Sequence, residues 1–138
     1  MANGKYGLYL QEQLSPSAAV DWAADNIKVV LIDTALYAVN LATDQFLAII
    51  AAGARLATSA NLAGKTSALG VADASDISIT YGAGLATCEA LVIYKDTGAD
   101  ATSKLIAYID TATGLPFTPV AAGGIQLIQW NASGIFSF

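Results

Sequence analysis

Five residues, Asp96-Thr97-Gly98-Ala99-Asp100, offer the densest chemistry in the sequence. An Asp-Thr-Gly behind an apolar run, here residues 90–94, is the pattern with which aspartic proteases present a carboxylate beside its twin. Two such carboxylates share one proton, because like charges that close cannot both ionise. The sequence holds one full Asp-Thr-Gly, so catalysis by Asp96 would require a homodimer. Asp110-Thr111-Ala112 is not a second copy, since alanine stands in the glycine position, although Gly123-Gly124-Ile125 is loosely similar to the glycine-bearing segment beneath such sites. Lys95, directly before the aspartate, occupies a position that protease chemistry reserves for an apolar residue. The same five residues are also ordinary turn chemistry, in which Asp bonds its own backbone and Gly takes positive φ.

A second chemistry open to acidic residues is calcium binding, by Asp73 and Asp76 or by Asp96 and Asp100. Calcium takes roughly six to eight oxygen ligands, of which two aspartates and nearby carbonyls supply only some. Neither stretch matches a twelve-residue calcium loop, so solvated turn aspartates are the expected state. The chain has no histidine, which removes Ser-His-Asp and Cys-His catalysis, His-ligated zinc and the usual base near neutral pH. Lone Cys88 lies in an apolar stretch and reads as a buried, inert thiol. We therefore expect no catalytic residue, metal or cofactor.

The elements that position these residues follow from composition and period. One domain is expected from 138 residues. The chain is 55% apolar and 12% charged, with mean hydropathy +0.54, against a usual charged fraction of about 25%. So few charges leave much surface to be covered by other chains. Net charge −5 and six dispersed basic residues (Lys5, Lys28, Arg55, Lys65, Lys95, Lys104) argue against nucleic acid as a partner. The longest apolar run, 46–54, is far short of the roughly 20 residues that span a bilayer. Gln11, Glu12 and Gln13 stand where a signal peptide would be apolar, so the chain is expected to stay where it is made until assembly.

Residues 1–17 read as an N-terminal arm and 18–138 as a single domain. Apolar positions 6, 9, 10 and 14 fit one face of a short helix, while Leu8 fits an extended arm as well. Residues 27–33 are a β-branched strand. A short helix is expected near 43–52, with Thr43 or Asp44 as its cap and Gly53 as its stop. Strands follow at 54–58, 65–71, 76–81, 87–95, 104–110, 124–130 and 135–138. Residues 77–81 alternate most clearly, with Ile77, Ile79 and Tyr81 turned inward. Residues 90–94 and 105–109 are apolar on both faces and form a hairpin about the 96–100 turn. This pattern predicts a mainly β chain, an antiparallel, jelly-roll-like β-sandwich. Tyr6, Leu8, Tyr9 and Leu10 of the arm, with Phe136 and Phe138 at the C-terminus, are the expected partner interface.

Several stretches together resemble small virion structural proteins of tailed bacteriophages: Met1-Ala2-Asn3-Gly4, then residues 25–47, 53–66, 89–116 and 125–130. The resemblance spans more than half the chain and rests on overall pattern, with no catalytic motif. This sequence departs from that pattern by more alanine and less charge over 46–60, which favours burial in an assembly. The resemblance implies a non-enzymatic β-sandwich, most simply a capsid decoration (cement) protein binding across major capsid subunits to stabilise the head. A tail or fibre-attachment protein with the same fold is the alternative, and a dimeric aspartic protease using Asp96 is a third reading. The implied partners are the major capsid protein and further copies in a homo-oligomer, with no nucleic acid and no membrane. The implied location is the virion, its head surface rather than its tail, after synthesis in the host cytoplasm.

Overall fold

The computed structural model describes residues 3–14 and 20–137. Its centre is the β-branched segment β2 (Ile27–Ile32), flanked by β7 (Ala90–Lys95) and β3 (Arg55–Thr58). With β8 (Leu105–Ile109) and β1 (Gly4–Lys5) they form a five-stranded antiparallel sheet, in the order β1-β8-β7-β2-β3. Residues opposite one another in an antiparallel ladder share a face. Val29, Ile93 and Ala107 thus lie on one face, and Val30, Val92 and Tyr108 on the other. All six are buried, so both faces are covered by the chain itself. Each valine or isoleucine among them contributes roughly 1.5–3 kcal/mol through burial.

The arm and the segment after β2 meet at the β1 edge of this sheet, where the Gly7 N–H donates to the Leu41 carbonyl. Tyr6 follows β1, its N–H donates to the Ile106 carbonyl, and its hydroxyl meets Tyr37 Oη at 2.9 Å. Tyr37 donates in turn to Asp44 Oδ2 at 2.7 Å, and Asn40 N–H donates to the same oxygen. This buried relay ties three stretches of chain together, and burial raises both tyrosine hydroxyls above their ordinary pKa. Gly4 lets Leu41 close on β1, because a Cβ there would stand 2.5 Å from Leu41 Cδ1.

Two smaller antiparallel sheets complete the structure. β4 (Thr66–Ala68), β5 (Val71–Asp73) and β10 (Phe136–Ser137) form one, in the order β10-β5-β4. β6 (Ile77–Tyr81) and β9 (Gly124–Ile128) form a two-stranded ribbon. The alternation in β6 holds: Ile79 and Tyr81 are buried, while Ser78 and Thr80 are exposed. The chain is mainly β and antiparallel, as its periodicity predicts.

The helix expected near 43–52 is not an α-helix. That segment forms two 3-10 turns, Leu47–Ile49 and Ala52–Ala54, and Phe46 bridges Lys104 as a strand would. The reason is competition for its backbone donors. Leu47 and Ala48 N–H donate to the Ser103 and Asp100 carbonyls of the hairpin turn, and Asp44 is engaged by Tyr37 and Asn40. The one α-helix, α1, is Gly7–Gln13 in the arm. Its Tyr9 faces inward, in keeping with the spacing of apolar residues there.

Candidate functional site

The 96–100 turn is built as a connector. Asp96 Oδ1 accepts the Gly98 N–H at 2.9 Å, and Gly98 takes φ 84°, a conformation open to glycine without strain. Lys28 Nζ lies 2.6 Å from Asp96 Oδ2. The Lys28 bond, helped by the Gly98 amide, holds the Asp96 carboxyl below its ordinary pKa. A carboxylate held in this way is a poor general acid. Ser103 Oγ accepts the Thr97 N–H and donates to the Ala99 carbonyl, closing the loop from within.

Charge converges on the same stretch. Four ion pairs occur among the described residues: Lys28–Asp96, Arg55–Asp100, Lys95–Asp25 and Lys104–Glu12. Each has one partner within residues 95–104. Arg55 also donates from Nε to the Ile50 carbonyl and from Nη2 to the Leu47 carbonyl, pinning the 3-10 segment under the turn. Four basic residues dispersed in sequence are thus gathered by the fold and paired with acids.

Three of the four carboxylates considered for calcium have other partners. Asp96 and Asp100 hold Lys28 and Arg55, and Asp76 Oδ1 accepts the Trp130 N–H at 2.9 Å. Among the described residues no three His, Cys, Asp or Glu side chains gather to hold a metal ion. Cys88 is buried, and burial raises its thiol to about 11, well away from a reactive thiolate.

The residues expected at an interface are placed unevenly. Tyr6 is 0% and Tyr9 3% exposed, so both serve the chain's own core. Leu8 and Leu10 are half-buried, and Leu10 packs against that core. Phe136 sits edge-on to Trp22 at 5.3 Å and to Tyr9 at 6.4 Å. Phe138 lies outside the described residues, as does the 15–19 stretch that contains the arm's boundary at 17. The arm packs as a strand and a helix against the main sheet, for Gly4 pairs with Tyr108 and Lys5 with Ala107.

Exposed apolar surface lies elsewhere: on Leu14, Leu36, Ile49, Leu69, Val120, Ile125 and Leu127. Ile125 and Leu127 stand on the outer face of the ribbon beside Thr80 and Ser78. Beside β9 opens a cleft of about 550 Å³, whose lining includes Leu91, Ile109, Phe117, Gln126, Leu127 and Trp130. None of its lining residues is charged. A signal for this region was present in the sequence, since residues 77–88 and 111–138 contain no Asp, Glu, Lys or Arg. A search for motifs passes over such a stretch because it contains nothing reactive. No helix among the described residues is long and apolar enough to cross a membrane. No protein-family model matches the chain, and no curated protein matches its sequence.

Proposed function

We propose that the chain is a non-enzymatic structural subunit of a bacteriophage particle, a decoration protein that binds across capsid subunits and stabilises the head. The observation that carries this reading is the distribution of apolar surface. Large apolar side chains stand exposed at seven named positions on a chain with only six basic and eleven acidic residues. Where such side chains adjoin on one face, as Ile125 and Leu127 do on β9, they mark contact with other proteins. Many copies on a regular shell would multiply modest contact energies through avidity. The engagement of Asp96 by Lys28 and Gly98 supports a non-enzymatic reading, because it leaves this carboxylate structural. The pattern resemblance to small virion proteins supplies the biological setting.

Labelling the protein on intact particles tests the proposal. Many copies spread over the head are expected; label confined to the tail would instead make it a tail or fibre-attachment component, and unlabelled particles would overturn both. Asp96→Asn addresses the protease reading separately, and particles that mature unchanged are the expected result. Failure of maturation with a folded variant would sink the non-enzymatic assignment.

A further inference from the structure

We propose that the free edge of β9 pairs antiparallel with β9 of a second copy of the chain, joining two ribbons into one four-stranded sheet. The inference starts from how the molecule treats its other sheet edges. Exposed edges invite pairing, and proteins blunt them by shortness, charge or cover. β1 has two residues, one of them Lys5, and β10 also has two. β4 has three and follows Lys65, while β3 opens on Arg55. β6 follows Asp76 and lies beside β3. β9 has five residues, no charge and no proline. Among the described residues it pairs only with β6, and residues 125–129 make no backbone–backbone bond outside that ribbon. In a two-stranded ribbon, alternate N–H and C=O groups of each strand point away from the partner. On β9 this edge runs beside the uncharged cleft, and the Leu127 carbonyl also accepts the Gln126 side-chain amide at 3.1 Å.

Charge selects the occupant. Copies of a chain with net charge −5 repel through most of their surface, and like charges facing each other across an interface oppose association. Residues 77–88 and 111–137 bring no charge to the contact, and Asp76 stands at its margin, its carboxylate accepting the Trp130 N–H. Two-fold symmetry also suits the strand. With the axis perpendicular to the sheet, odd positions meet odd and even meet even. Ile125 and Leu127, 67% and 50% exposed, then form one apolar strip with their counterparts, and Gln126 and Ile128 stay on the inner face. A two-stranded ribbon is marginal alone, and four strands form a more stable sheet. The inference deepens the structural-subunit reading and rests on it only for the biological use of the pairing.

Sedimentation equilibrium of the intact chain over a range of concentrations is the test. A reversible dimer is expected, with amides of residues 124–128 slowed in hydrogen exchange as the dimer fills. Leu127→Lys, at an already exposed position, should leave the circular dichroism spectrum unchanged and shift the chain to monomer. Mixing folded Leu127→Lys with folded Leu127→Glu should restore a heterodimer, which general destabilisation would not produce. If either variant fails to fold, the pair Ile125→Lys and Ile125→Glu replaces it. A wild-type chain that stays monomeric, or a dimer untouched by the charge pairs, overturns the proposal. Because no particle is involved, this result stands or falls independently of head labelling.

Discussion

The hairpin β7–β8 and the ribbon β6–β9 are both antiparallel pairs of apolar strands, and they meet their surroundings in opposite ways. The hairpin is buried on both faces, and residues 95–104 around its turn supply one partner to each of the four described ion pairs. The ribbon is buried on one face and presents Ile125, Leu127, Ser78 and Thr80 outward, with no charge within either strand. Reactive-looking residues mark the region whose charges pair within the chain. Bland residues mark the ribbon whose strand β9 pairs, among the described residues, only with β6. The difference teaches that chemical character alone is a poor guide to where a β protein makes contacts.

Truncating each region in turn is the sharpest way to break the comparison. Ile93→Ala removes a fully buried side chain at the heart of the hairpin sheet and should cost about 2–5 kcal/mol, read as a lower urea midpoint. Leu127→Ala, on the exposed face, should change monomer stability by no more than about 0.5 kcal/mol in the same titration. Equal losses at the two positions would erase the distinction.

Next in size is the buried relay. Tyr37→Phe leaves the Tyr6 hydroxyl and Asp44 short of a partner, and should destabilise the chain by about 1–3 kcal/mol. A neutral effect would mean that water restores those bonds.

The ion pairs around the turn should matter less. Surface pairs contribute about 0–1 kcal/mol, so Lys28→Ala should lower stability within that range. The pH dependence has a definite sign. The folded-state pKa of Asp96 is depressed, chiefly by Lys28, so its contribution is present above the ordinary carboxylate value of about 3.9. That contribution is lost as pH falls through the lower folded value. Asp25 behaves alike: burial pushes its carboxyl up, but Lys95 and the Asp21 amide outweigh burial and bring it down. Acid titration of Lys28→Ala should therefore show a shallower loss of stability below about pH 4 than the wild type.

The smallest expected signal is chemical. Cys88, with its thiol raised to about 11, should resist alkylation at neutral pH in the folded chain and react once unfolded. Rapid labelling of folded protein would place Cys88 at the surface and undo the burial of β7's entrance.

The sequence by itself determined most of the strands, because a strand's signal is local, although the strand expected at 65–71 is instead the hairpin of β4 and β5, turned at Leu69 and Gly70. Alternation in 77–81, β-branched residues in 27–32 and turn residues between apolar runs report backbone conformation directly. It determined the turn at 96–100 for the same reason, since Asp96 and Gly98 act on atoms two residues apart. Tertiary structure alone decided the rest. The segment after Asp44 lost its expected helix because backbone donors of Leu47 and Ala48 found carbonyls in a turn more than fifty residues away. Tyr6 and Tyr9 went inward because β1 docks on β8, a pairing of two residues too short to leave a pattern. Which strand edge stayed open was also beyond the sequence. An edge is defined by the strand that is missing beside it, and local residues cannot report that absence.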